Sequence, residues 1–321
     1  MNRFLISLCL LFLLYPNLSV LAQVEEPIQL KTDAFTLNGT LTLPADVKGP
    51  VPVVLLLAGS GPTDRDGNSS LGLKTNVYRI LADSLVRQGM AVARYDKRGA
   101  GASQVMDRTK VRLADGLFDA GITDAVGFAR QLQADSRFSK VIIAGHSEGS
   151  QVGMVAARQT RADGFVSIAG IGRNIADVMK AQFEYALPDS LKAEASRILD
   201  SLRVGRTVPK ANPILMTVFR PSVQPYLISW MKHDPTADLK AYPGPVLIVQ
   251  GTNDFQVPVS EAQLLKAARP DAQLVLISDM THMLRTYAGT NRAENIKTYT
   301  ALGQPLTAGL ATAIVRFVNQ L

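Results

Sequence analysis

Short runs of β-branched residues and leucine recur along the chain, alternating with stretches whose apolar residues return every three or four positions. Val51–Leu57 (VPVVLLL), Met90–Tyr95, Val141–Ala144, Phe165–Ile168, Val246–Val249 and Leu274–Ile277 are continuous rather than alternating. Continuous runs of this length read as strands covered on both faces, the condition of a largely parallel sheet flanked by helices. Phe35–Leu43 (FTLNGTLTL) alternates with period two and reads as an edge or hairpin strand. The intervening segments Thr75–Gln88, Gly116–Leu132, Ser150–Arg158, Ser260–Ala268 and Leu306–Gln320 carry helical patterning. A β-α-β rhythm of this kind predicts an α/β fold, a doubly wound and mostly parallel sheet.

From Gly172 to Pro243 the rhythm changes. No strand pattern is present there, and helical patterns over Ile175–Leu187, Leu191–Val204 and Pro213–Trp230 are punctuated by prolines. The segment reads as a helical insertion that divides the core into residues 23–171 and 244–321.

The first 22 residues have a different character. Arg3 precedes the apolar run Phe4–Leu14, Tyr15-Pro16-Asn17 interrupts it, and Val20-Leu21-Ala22 offers small or modest side chains before Gln23. This is the three-part layout of a secretory signal peptide, predicting export through the Sec pathway to the periplasm or beyond. The run is too short for a membrane span, which takes roughly 20 apolar residues, so no stable membrane anchor is expected.

Composition then narrows the chemistry. The 321 residues include one Cys and three His, with a net charge of +7. Cys9 lies within the signal segment, leaving the mature chain without a thiol, a disulfide or a thiolate metal centre. Three scattered imidazoles do not suggest a His-rich metal site either, so oxygen nucleophiles and carboxylates must carry the reaction. The basic charge does not imply nucleic acid: the six Lys and Arg between Arg94 and Arg112 are interleaved with Asp96 and Asp107 and read as a solvated loop.

Those constraints converge on Val141–Ser150 (VIIAGHSEGS), where G-x-S-x-G falls between a β-branched strand and a helix. A serine on a tight strand-to-helix turn projects its hydroxyl over the sheet edge, and flanking glycines allow the turn and the close packing behind it. Ser147 is the candidate nucleophile, and the N–H of Glu148 the candidate oxyanion donor. His282, in a loop following the last strand, is the candidate base. His146 adjoins the nucleophile and is expected to pack beside the turn, while His233 reads as a surface or helix-end residue. Asp254, at the end of a loop after Val246–Val249, is the candidate orienting acid. Asp279 is its rival, but lies only three residues from His282, where reaching the far imidazole nitrogen is difficult. The turn Ala58-Gly59-Ser60-Gly61-Pro62 supplies the N–H of Ser60 as the second oxyanion donor.

With Gly59–Asn68, Arg94–Ser103, the Ser147 turn, Asp254 and His282 in place, the sequence resembles the α/β-hydrolase family, specifically secreted bacterial esterases near the serine-aminopeptidase-like hydrolases. The resemblance implies that Gly172–Pro243 is a variable cap, that Asp96 and Arg98 brace a loop, and that hydrolysis runs through an acyl-enzyme without metal or cofactor. Many relatives carry His-Gly where this chain has Ala58-Gly59, so a histidine contribution at that loop is absent. Asp64 is a candidate pocket residue, and Met179, Phe183, Phe219, Tyr226 and Trp230 are candidate apolar lining for a small-molecule ester. A peptidase acting on small peptides is the alternative and would need a cap carboxylate, for which Glu184 and Glu194 are available. A non-catalytic binding protein is the remaining reading.

Overall fold

The continuous hydrophobic runs pair into one sheet of eight strands in the order β1-β2-β4-β3-β5-β6-β7-β8. The computed structural model describes residues 23–45, 48–301 and 303–321, so the segment read as a signal peptide lies outside the described residues. The strands are β1 (Val24–Lys31), β2 (Thr36–Leu43), β3 (Val51–Leu57), β4 (Ala91–Tyr95), β5 (Phe138–His146), β6 (Gly164–Ile168), β7 (Val246–Gly251) and β8 (Gln273–Ile277). β1 and β2 are antiparallel to their neighbours, and β3 to β8 run parallel.

The helices are α1 (Val77–Val86), α2 (Phe118–Gln133), α3 (Glu148–Thr160), α4 (Ile175–Ala186), α5 (Asp189–Arg203), α6 (Met216–Phe219), α7 (Gln224–Met231), α8 (Pro235–Ala241), α9 (Val259–Ala268), α10 (Arg292–Lys297) and α11 (Leu310–Val318). Period-two alternation within the buried strands decides which helices meet which face. Val53, Leu55 and Leu57 of β3 join a core with α2, α3, α9 and the helices between β6 and β7. Val54 and Leu56 point the other way, into a second core with α1 and α11. Both faces are therefore covered, and the predicted α/β architecture with a mostly parallel sheet holds.

Three expectations change. β1 adds an outer strand that polarity and Pro27 concealed, and Pro is tolerated because the strand has one free edge. β8 is not buried on both faces: it is the opposite edge, with Leu276 45% exposed. The helix expected over Pro213–Trp230 is broken at Arg220-Pro221 into α6 and α7. The insertion also gains α8, whose N-terminus is set by Asp234 accepting from the N–H groups of Thr236 and Ala237, with Pro235 in the first turn.

Candidate active site

β5 ends at His146 and α3 starts at Glu148, leaving Ser147 alone to make the turn at φ 55° and ψ −120°. Left-handed φ at a non-glycine residue is strained, and here surrounding contacts impose it. The Ser147 N–H donates to the carbonyl of Ile168 on β6 at 2.9 Å. The glycines are sterically required. A Cβ on Gly145 would lie 2.0 Å from the Gly149 carbonyl oxygen, and one on Gly149 would lie 2.5 Å from that of Leu57.

The chemistry-bearing side chains arrive from the ends of three parallel strands, Ser147 after β5, Asp254 after β7 and His282 after β8. His282 Nε2 lies 3.1 Å from Ser147 Oγ, and its Nδ1 lies 2.8 Å from Asp254 Oδ2. Asp254 is itself held. Its Oδ1 accepts the N–H groups of Gln256 and Val257, both at 2.8 Å, and the buried Gln250 amide donates to Oδ2 at 3.2 Å. Ser147, His282 and Asp254 thus meet as expected, whereas the Asp279 backbone is tied to Thr252 and Tyr287 and its carboxylate makes no bond to His282.

His146 packs beside the turn as expected, with a connection the sequence did not disclose. The Gly59 N–H donates to Tyr78 Oη at 2.8 Å, and Tyr78 Oη lies 2.8 Å from His146 Nδ1. His146 Nε2 lies 2.8 Å from the carbonyl oxygen of His282. The carbonyl can only accept, so Nε2 carries the proton and Nδ1 accepts from Tyr78. Burial above all, then the adjacent His282 imidazole, lowers His146 to about 3. His146 is therefore a neutral connector with a fixed tautomer.

The same loop leaves two donors free. Gly59 spends its N–H on Tyr78, but among the described residues neither the Ser60 N–H nor that of Glu148, the first residue of α3, meets an internal acceptor. Lys97 ties the two segments together, with Nζ 3.2 Å from the Gly59 carbonyl oxygen and 2.6 Å from Glu148 Oε1. Ser60, Glu148 and Gly149 border a cavity of about 540 Å³, its apolar walls including Leu57, Phe118, Val152, Tyr226 and Trp230. Phe118 and Trp230 stack with centroids 5.3 Å apart.

Tyr226 and Trp230 therefore line the cavity as predicted, while other candidates do not. Phe183 and Phe219 pack edge to face at 5.8 Å inside the helical insertion, and Phe219 is fully buried there. Met179 is likewise a core residue. Asp64 Oδ1 accepts the N–H groups of Asp66 and Asn68 at 2.9 and 2.8 Å, making it a turn-forming residue. Glu184 is exposed beside Lys192, and Glu194 accepts the Asn212 N–H at 2.8 Å; neither borders the cavity. Asp96 and Arg98 are structural, in separate pairs: Asp96 takes Arg65, and Arg98 takes Asp124 and Asp115. The stretch read as a solvated loop is thus partly internal, with Arg94 fully buried. His233 bridges α2 and α8, 3.1 Å from Asp119 and 3.5 Å from Asp238.

Among the described residues, no group of three His, Cys, Asp or Glu side chains could hold a metal ion, and no helix is long and apolar enough to cross a membrane.

A serine on a strand-to-helix turn, with a carboxylate and an imidazole supplied from the loops after β7 and β8 of the same parallel sheet, defines an α/β-hydrolase. Residues 71–286, about two thirds of the sequence, match the family model described as serine aminopeptidase S33, and the chain belongs to that family. It is also similar to esterase EstD of Thermotoga maritima, with 27% identity over 261 residues covering 77% of this chain; the chain spans 58% of that esterase's length. Among solved structures it resembles Est1E from Butyrivibrio proteoclasticus with bound ferulic acid, at a TM-score of 0.56 and 18% identity, covering 85% of this chain and 96% of that one. The Pyrococcus furiosus esterase Pf2001 gives a TM-score of 0.54 at 16% identity, covering 81% and 84% of the respective chains. Both structural likenesses are likenesses of fold.

Proposed function

We propose that the protein is a serine hydrolase that cleaves carboxylic esters of short to medium acyl chain through an acyl-enzyme. The observation that carries this reading is the pair of contacts linking Ser147 Oγ to His282 and His282 to Asp254 at 3.1 and 2.8 Å, beside the cavity. Ser147 Oγ attacks the ester carbonyl carbon while His282 Nε2 takes its proton, and Asp254 stabilises the imidazolium. The N–H groups of Ser60 and Glu148 receive the oxyanion. Collapse expels the alcohol, which takes the proton from His282. Water, activated by the same imidazole, then releases the acid. The helices of residues 172–243 act as the cap over the acyl group, with Tyr226 and Trp230 in its wall.

Two further observations favour an ester over a peptide N-terminus. Glu184 and Glu194, the cap carboxylates available to a substrate ammonium, lie away from the cavity. The similarity to an esterase from Thermotoga maritima points the same way. Turnover of p-nitrophenyl esters beside amino-acid p-nitroanilides separates the readings: ester cleavage dominates here, and preferential anilide cleavage sinks the proposal. Export is part of the same reading. Expression in a bacterial host with a Sec pathway is expected to yield a chain beginning at Gln23, measured by intact mass, and an uncleaved or cytoplasmic product overturns it.

A further inference from the structure

The two oxyanion donors are reached from behind by one side chain. The Ser60 N–H belongs to the peptide unit whose oxygen is the Gly59 carbonyl, and that oxygen accepts from Lys97 Nζ at 3.2 Å. A peptide unit is planar, so a bond that holds its oxygen also fixes where its N–H points. A cation on the oxygen draws electron density along the amide and strengthens the N–H on the opposite side as a donor, as linked hydrogen bonds do at low dielectric. The other donor is the N–H of Glu148, whose Oε1 accepts from the same Nζ at 2.6 Å.

Left to itself, the Glu148 carboxylate would oppose catalysis. It is 3% exposed and belongs to the residue whose N–H must receive a negative oxygen. Lys97 cancels that charge, and the Tyr226 hydroxyl on α7 is the carboxylate's other hydrogen-bonding neighbour. Burial first, then the Glu148 charge, raises Tyr226 well above the usual phenol value, so its hydroxyl stays a neutral donor. Lys97 is itself preset against the oxyanion loop. Its N–H donates to the Thr63 carbonyl at 3.3 Å, and Thr63 Oγ1 donates to the Ser60 carbonyl at 3.0 Å. The preceding residue, Asp96, accepts the Arg65 N–H at 2.7 Å. The cavity's other cations are engaged elsewhere, Arg98 with Asp115 and Asp124, and Arg220 with the Thr217 carbonyl.

We propose that Lys97 is the electrostatic support of the oxyanion hole, polarising the Gly59–Ser60 peptide and neutralising Glu148 so that both N–H donors favour the oxyanion over the ester's neutral carbonyl. The inference rests on the ester-hydrolase reading and deepens it. Lys97 is a positioning residue: it acts through the two donors rather than on the reacting atoms. Its contribution is therefore made in the transition state, where negative charge has developed, and not in ground-state binding.

The test measures p-nitrophenyl butyrate hydrolysis and inhibition by two ketones, with rates normalised to active sites titrated by a fluorophosphonate. An alkyl trifluoromethyl ketone takes up Ser147 Oγ and becomes a hemiketal oxyanion, whereas the matching methyl ketone binds as a neutral carbonyl. Lys97→Met is expected to lower kcat about 10- to 100-fold with KM within about three-fold of native, a smaller loss than removal of a whole oxyanion donor. Inhibition by the trifluoromethyl ketone weakens by a similar factor, while that by the methyl ketone changes less than about three-fold. A role confined to folding lowers the active fraction and leaves the two ketones unseparated. The single variant buries Glu148 without its cation; Lys97→Met combined with Glu148→Gln removes both charges and keeps the test open if the single variant does not fold. The double variant is expected to exceed Lys97→Met in kcat yet stay at least about five-fold below native, since the repulsion is gone and the peptide polarisation is still missing. Native kcat per active site in either variant, a loss confined to KM, or equal weakening of both ketones overturns the inference and leaves the ester-hydrolase reading intact. Absence of ester turnover by the native chain removes that reading, and this inference with it.

Discussion

His146 Nε2–H donates to the backbone carbonyl of His282 at 2.8 Å, so the residue before the nucleophile holds the main chain of the base. Because His146 Nδ1 is also engaged by Tyr78, whose oxygen receives the Gly59 N–H, one connected path runs from the oxyanion loop to the base loop. Tyr78 and His146, which join the two loops, are positioning residues.

Tyr78→Phe severs the path at its centre, leaving the buried Gly59 N–H without an acceptor and His146 Nδ1 without a donor. The expected loss is about 1–3 kcal/mol of stability, readable by urea denaturation. Activity is expected to fall about 10- to 100-fold, mainly in kcat, through misplacement of oxyanion donors and base. His146, lowered to about 3, does not titrate near neutrality, so the shape of the pH–rate profile is expected to be unchanged above about pH 5. A new ionisation in the variant would contradict the neutral-connector role.

Asp254→Asn tests the tautomer argument. Oδ1 accepts two backbone N–H groups, so an asparagine oxygen is drawn to that position and its NH2 is turned toward His282 Nδ1. Nδ1 must then accept, Nε2 carries the proton, and the base can no longer take one from Ser147. A loss in kcat on the order of 10⁴-fold is expected, comparable to Ser147→Ala within one or two decades. Retention of more than a tenth of native kcat would refute the role assigned to Asp254.

His233 should make stability depend on pH. The hydrogen bond to Asp238 is the main cause raising its pKa, burial opposes it, and Asp119 adds to the increase. A raised folded-state value means the stabilisation is complete below the unfolded value of about 6.5 and is lost as pH rises through the folded value. The Tm difference between native protein and His233→Gln is therefore expected to be larger at about pH 5.5 than at about pH 8.5. An equal difference at both pH values contradicts the linkage.

Gly149→Ala places a Cβ 2.5 and 2.6 Å from the Leu57 and Ala58 carbonyl oxygens, at the base of the oxyanion loop. Backbone atoms cannot yield cheaply there, so destabilisation of about 2 kcal/mol or more is expected, with kcat reduced beyond what the folded fraction explains. Circular dichroism melts beside single-point activity separate the two effects. Native-like activity would show that the turn tolerates a side chain.

The parts of this molecule legible in the sequence are those whose physical cause is local. Continuous apolar runs disclosed β3 to β7 because burial on both faces leaves no polar alternation, and steric need at Gly145 and Gly149 made the nucleophile turn visible. β1 was hidden because an edge strand tolerates charge and Pro27. Asp234-Pro235 signalled α8 in principle, as a cap followed by a first-turn proline, but within a Pro-rich stretch the signal reads as a break. The pocket was least legible. Phe219 and Trp230 look alike on paper, yet one fills a helix interface while the other borders the cavity. Tyr78 and Lys97 carry no local mark at all, since their importance lies in which distant atoms they meet.

β8, with a ladder on one side only, carries the loop that holds His282. Besides the His146 bond, that loop is held by its neighbour Arg285, buried without a carboxylate partner among the described residues, donating to the carbonyl oxygens of Thr75 at 2.8 Å and of Gln304. Catalytic competence is thereby attached to a marginal element rather than to the middle of the sheet. On warming, the margin is expected to open as a separate cooperative unit before the interior strands do. Inactivation is then expected to precede the global melt, with the buried Arg285 among the contacts that set how early it comes.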